Sequence, residues 1–141
     1  MKKILVSILI MLFTVIPVSA FGKKKLKPIL YMANNYADLI SSTQGKEDFP
    51  WVFKTGEKIY FQIIVPKGFK SDFIKYQIVK QDDNAHTGGY TRITNKTVKV
   101  KSKYDYTDYF MLSQKGKYYI QVFDIENLQQ WLAIGSFLII E

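Results

Sequence analysis

From Glu57 onward, apolar side chains recur at every second position, a period that fits β-strands and does not fit amphipathic helices. In "GEKIYFQIIVP", Ile59, Phe61, Ile63 and Val65 share one face, while Tyr60, Gln62 and Ile64 share the other. Pro66, Lys67 and Gly68 then turn the chain. "FIKYQIVK" places Ile74, Tyr76 and Ile78 inward and Lys75 and Gln77 outward, and "NKTVKVKSK" separates Val98 and Val100 from Lys99 and Lys101. "YDYTDYFML", "KGKYYIQVFD" and "WLAIGSFLII" continue the series. No window after residue 20 keeps a 3.6-residue apolar period for three turns, and "NNYADLISS" offers at most one helical turn. "STQGKEDFPWVFKTGE" reads as an irregular crossing in which Pro50, lacking an N–H, confines "WVF" to a sheet edge. About seven strands joined by short loops suggest an all-β sandwich or barrel, and an antiparallel β-sandwich is the expected form.

The first twenty residues have a different logic. "MKKILVSILIMLFTVIPVSA" combines Lys2 and Lys3, an apolar run from Ile4 to Phe13, the helix breaker Pro17 and small residues at Val18 and Ala20. These are the three regions of a helical secretory signal peptide cleaved after Ala20, which predicts a periplasmic or extracellular protein. The alternative is an uncleaved membrane anchor over residues 4–21, favoured by Lys23, Lys24, Lys25 and Lys27 on the far flank but short for a span of ~30 Å. The expected organisation is a signal peptide over 1–20, a basic segment with a first strand over 21–48, and a sandwich core over 49–141. Residues 21–141 then form one domain.

The chain contains no cysteine, so an exported fold must hold without disulfides, and thiol catalysis, Cys-based zinc sites and a lipid-modified cysteine are excluded. Cleavage would remove Lys2 and Lys3 and lower the net charge of +8 by two. A basic exported domain attracts acidic proteins, anionic polysaccharide or lipid head groups, whereas its address leads away from nucleic acid. Arg92 is the one arginine, so the charge is diffuse and suits no bidentate phosphate grip.

"KGKYYIQVFD" followed by "LAIGSFLII" resembles the last two strands of bacterial immunoglobulin-like β-sandwich domains, through Gly116, Tyr118 two positions later and Ile120 two after that. The resemblance covers residues 56–141. It implies a tyrosine corner, in which the Tyr118 hydroxyl bonds to the backbone of the preceding loop, and Ile120 stands where the disulfide-bonded version has cysteine. Such a residue fills core volume with its ring while its hydroxyl satisfies a loop carbonyl. Tyr119, of opposite parity, is expected on the outer face with Gln121.

Candidate sites follow from the polar residues. His86 lies in "QDDNAHTGG" with Asp82, Asp83 and Asn84, but the spacing is not that of a calcium loop, and a polar hairpin with Gly88 and Gly89 accounts for it. No serine carries a nucleophile motif, and the carboxylate pairs Asp105 with Asp108 and Asp82 with Asp83 read as turn and strand-face acids. Asn95 opens a glycosylation sequon that nothing else in the chain supports.

Lys96, Lys99, Lys101 and Lys103 are the densest charge. Three share parity and on one strand would form a row with neighbours ~6.6–7 Å apart, which serves either an anionic ligand or the protection of an edge. Tyr104 and Tyr106, beside Asp105 and Asp108, with Trp131 and Trp51, form a candidate stacking platform, against which stands ordinary core packing. The expected function is therefore a small, exported, non-enzymatic sandwich without cofactor or metal that binds an envelope or extracellular protein. The strands from Tyr104 to Leu112 and from Lys96 to Lys103 are the expected surface. The alternative is a carbohydrate or anionic-polymer binding module using Tyr104, Tyr106, Trp131 and the lysine row.

Overall fold

A computed structural model describes residues 26–41, 51–83 and 88–141. Among them are eight strands and one short helix: β1 (Ile29–Ala33), α1 (Tyr36–Ser41), β2 (Trp51–Lys54), β3 (Lys58–Ile64), β4 (Phe73–Gln81), β5 (Tyr90–Lys99), β6 (Asp105–Met111), β7 (Gly116–Asp124) and β8 (Asn127–Ile140). They form a three-stranded sheet in the order β1-β3-β6 and a five-stranded sheet in the order β2-β8-β7-β4-β5. The architecture is an all-β sandwich. The expected signal peptide and its cleavage site lie outside the described residues, as does most of the irregular crossing before Trp51.

Alternation in the sequence becomes burial in the fold. Ile59, Phe61, Ile63 and Val65 from the smaller sheet meet Ile74, Tyr76, Ile78, Tyr118, Ile120 and Val122 from the larger one, and all are buried. Aromatic rings bridge the layers, Phe61 meeting Tyr76 edge-on at 4.9 Å and Phe110 meeting Phe137 at 5.6 Å, while within the larger sheet Tyr118 stacks on Phe137 at 5.6 Å.

Three expectations change. The sandwich core does not begin at residue 49, because β1 pairs along β3 and buries Leu30 and Met32 in the same core. The sheets are not wholly antiparallel either: β2, at the edge as Pro50 implied, runs parallel to β8 from Trp51 opposite Phe137 to Lys54 opposite Ile140. Finally, "NNYADLISS" supplies a real helix, α1. Asn35 caps it by accepting from the Asp38 N–H at 2.8 Å, and Leu39 anchors it by complete burial. A six-residue helix is too short to persist alone, so its packing against β1 and β3 holds it.

Two glycines are required by geometry. Gly68 closes the turn after β3, with φ at 79° and its N–H on the Val65 carbonyl at 2.7 Å. Gly135 lies buried on β8, where a Cβ would sit 2.7 Å from Leu30 Cδ2 and 3.0 Å from the Trp51 ring. Its hydrogen therefore lets β1 and β2 close over β8. Gly135→Ala should lower unfolding free energy by about 1–3 kcal/mol through overpacking, read from the urea midpoint.

Candidate functional site

The sandwich has one side where β5, the edge of the larger sheet, faces β6, the edge of the smaller one. Along β6 the parity of the side chains decides their roles. Tyr106, Asp108 and Phe110 lie opposite Ile63, Phe61 and Ile59 and point between the sheets, whereas Asp105, Thr107, Tyr109 and Met111 point outward.

Asp108 is thus a carboxylate on the inner face. One oxygen, Oδ2, accepts from the Tyr76 hydroxyl at 3.0 Å, the Tyr106 hydroxyl at 2.8 Å and the Lys96 ammonium at 2.9 Å, and Oδ1 accepts from the Tyr109 N–H at 2.9 Å. Burial alone would raise this carboxyl. The bonds from Lys96, Tyr109, Tyr106 and Tyr76 outweigh it and hold the group below the usual carboxylate range. Both tyrosines are pushed well above their ordinary value, first by burial and then by the adjacent Asp108 charge and hydrogen bond. Four groups from β4, β5 and β6 therefore form a clasp across the open side.

An open cleft of about 540 Å³ lies over the clasp, lined by Tyr36, Lys96, Lys99, Lys101, Ser102, Asp105, Tyr106, Thr107 and Asp108. The expected lysine row does not form, because β5 ends at Lys99 and the chain bends through Lys101 and Lys103 toward β6. Pairing with β4 stops there, and without it the two-residue alternation has no strand to act on. Within the cleft, Lys96 is committed to Asp108, and Asp105 is hydrogen-bonded by Ser102. Three lysines thus face two carboxylates, a weaker positive field than the sequence suggested.

The expected aromatic platform is also divided. Tyr106 packs inward on Phe61 and Tyr76, Trp51 packs against the core, and Tyr104 and Trp131 are exposed at separate places. The Tyr118 hydroxyl donates to the Gln114 carbonyl at 2.8 Å, and Tyr119 lies half-buried on the outer face with its hydroxyl on Gln81. Tyr118→Phe leaves that carbonyl without its donor and should cost about 1–2 kcal/mol in chemical denaturation. His86 and Asn84 lie outside the described residues. Asp82 holds the hairpin, accepting from the Thr91 hydroxyl at 2.8 Å and donating its N–H to Gly89 at 3.0 Å. Among the described residues, no group of three or more acidic or histidine side chains could hold a metal ion, and no helix is long and apolar enough to cross a membrane.

Sequence reasoning missed the outer face of the smaller sheet. Register sets Tyr109 beside Tyr60 and Ala33, Thr107 beside Gln62 and Tyr31, and Met111 beside Lys58. Tyr60 and Tyr109 rings lie 5.7 Å apart, Tyr36 of α1 meets Tyr60 edge-on at 6.1 Å, and the Lys58 ammonium sits 4.6 Å above the Tyr109 ring. Tyr36, Tyr109 and Met111 are about half exposed. The signal was present as tyrosines at the outward parity of three segments, but their union required the β1-β3-β6 order. Beneath this face, Gln62 Oε1 is buried with no hydrogen-bond partner among the described residues. Gln62→Met, nearly the same shape, should stabilise the chain by about 1 kcal/mol, measured by the rise in urea midpoint.

No family profile matches this chain, and no curated protein sequence does. Solved structures similar to it include the superoxide reductase (neelaredoxin) from Ignicoccus hospitalis, at 10% identity and a TM-score of 0.44 over 82% of this chain and 81% of that one. Another is the alkylpurine DNA glycosylase AlkC of Pseudomonas fluorescens, bound to DNA containing an abasic-site analogue, at 14% identity and a TM-score of 0.40 over 66% of this chain and 28% of that one. The likeness is to a β-rich fold. The expectation of a non-enzymatic chain is corrected: a sandwich architecture by itself gives no ground for excluding catalysis.

Proposed function

We propose that the chain is an exported sandwich domain of immunoglobulin-like type that binds a protein partner through the outer face of its three-stranded sheet. The observation that carries this reading is the cluster of Tyr36, Tyr60 and Tyr109 with Met111 and Lys58 on one half-exposed face. Tyrosine and methionine are enriched in protein interfaces because they offer large contact area at low cost in rotamer freedom. The rings are already ordered by one another, which reduces what binding must immobilise. Export rests on the pattern of residues 1–20. The immunoglobulin-like assignment is supported by the Tyr118 corner.

The anionic-polymer alternative is weaker on the same geometry, since Lys96 is neutralised by Asp108 and Tyr106 is turned inward. Photo-crosslinking residues introduced in the producing cells at Thr107 and Met111, on the tyrosine face, and at Thr97 and Lys117, on the opposite sheet, test the proposal. A discrete protein adduct is expected from the first pair alone, and Tyr109→Ser with Tyr60→Ser should reduce its yield at least tenfold. Adducts from both faces in equal yield, or from neither, would remove the reading.

A further inference from the structure

We infer that one end of the sandwich rests on an anionic lipid surface. Strand register defines this end: Ile29 lies opposite Ile64 and Ile64 opposite Asp105, while Phe73 lies opposite Lys99, Ile74 opposite Asp124, and Asp124 opposite Asn127. The loops between these strand ends are bonded together, with the Val65 N–H on the Tyr104 carbonyl at 2.7 Å, Phe69 on Lys103 at 2.8 Å and Val100 on Asp72 at 2.9 Å. They form one continuous rim.

Lys27, Lys67, Lys70, Lys99, Lys101 and Lys103 all lie on this rim and all are exposed. Its acids are less available. Asp124 is buried and accepts from the N–H groups of Lys70 and Glu126, and Asp105 is engaged by Ser102, which leaves Asp72 and Glu126 exposed. At the other end, Lys54, Lys58, Lys80, Lys115 and Lys117 are answered by Glu57, Asp82, Asp83 and Glu141, with Lys115 paired to Glu141 at 2.8 Å.

Exposed apolar groups lie among the rim lysines: Leu26, Tyr104, Leu128 and Trp131. Lys27, Lys70, Asn127, Gln130 and Trp131 line an open cleft of about 690 Å³ together with Asp124, whose carboxylate accepts from the N–H groups of Lys70 and Glu126, and the cleft has room for a phosphate head group beside the indole. Lysines interspersed with tryptophan and tyrosine match the boundary between head groups and water, where ammonium groups meet lipid phosphates and amphipathic rings sit at the interface.

The absence of cysteine makes the test clean. Leu128→Cys at the rim and Ile140→Cys at the far end, each in the full-length chain, take one environment-sensitive nitrobenzoxadiazole dye. With vesicles containing phosphatidylglycerol, the dye at 128 should brighten several-fold and shift to the blue while the dye at 140 stays water-like. Pure phosphatidylcholine vesicles should leave both unchanged. Replacing Lys99, Lys101 and Lys103 together by Glu should weaken the response at 128 about a hundredfold in lipid titration, and replacing Lys54, Lys115 and Lys117 should not. Equal response at both positions, a response independent of lipid charge, or indifference to the rim substitutions would each overturn the inference. Because the tyrosine face is untouched by these variants, the crosslinking result stands or falls separately.

Discussion

Phe61→Ala is expected to lower the unfolding free energy by about 3–5 kcal/mol, a large share of what a domain of this size possesses. Phe61 is completely buried at the middle of the smaller sheet. Its ring touches three others: Tyr76 at 4.9 Å, Phe110 at 6.1 Å and Tyr106 at 6.2 Å. Truncation removes the ring's transfer free energy and leaves a cavity that these neighbours cannot close, because Tyr76 and Tyr106 are held by Asp108. Urea denaturation should show a lower midpoint with unchanged slope. Phe61→Leu, which keeps most of the volume, should lose less than half as much, and equal losses for the two variants would show that packing here is looser than described.

Asp108→Ala is the second large effect, about 2–3 kcal/mol at neutral pH. Two tyrosine hydroxyls lose their acceptor, and Lys96 loses its counter-charge. The cost stays below that of a fully buried pair because the Lys96 side chain is 52% exposed and water can solvate it. The sign with pH follows from the direction of the shift. A carboxyl held below its unfolded value contributes stability above the ordinary aspartate range near ~4 and loses it as pH falls through the folded value. The gap between parent and variant should therefore be full at pH 7 and shrink on acidification. At the alkaline end the tyrosines act in the opposite sense. Both are raised when folded, so their contribution is lost as pH climbs past the ordinary tyrosine value near ~10. A gap that stays constant down to pH 2 would show that the clasp carries no charge-dependent stability.

The clasp also bears on how the two proposed surfaces coexist. It ties β5 to β6 at the open side, so the sheet that presents Tyr60 and Tyr109 keeps a fixed orientation to the lysine rim. A domain lying on a membrane by its rim would hold the tyrosine face roughly upright and turned sideways to a partner in the same layer. An inward carboxylate at an edge strand also discourages pairing with another chain, as does the bulge where Ile93 interrupts the β4–β5 register.

Which residues are buried was legible in the sequence from position 57 onward. Ile59, Phe61, Ile63, Ile74, Tyr76, Ile78, Tyr118, Ile120 and Val122 follow from alternation alone, because in an extended backbone successive side chains must point to opposite faces. What alternation could not tell was where a strand stops. Lys99, Lys101 and Lys103 have one parity in the sequence, yet pairing with β4 ends at Lys99, and only that pairing makes parity a direction in space. The same holds for the Asp108 clasp, whose members Tyr76, Lys96 and Tyr106 are brought together by two different sheets. It holds again for the tyrosine face, which exists because β3 lies between β1 and β6. The order of neighbours is a property of long-range pairing, chosen by the whole core at once, and no local window of residues contains it.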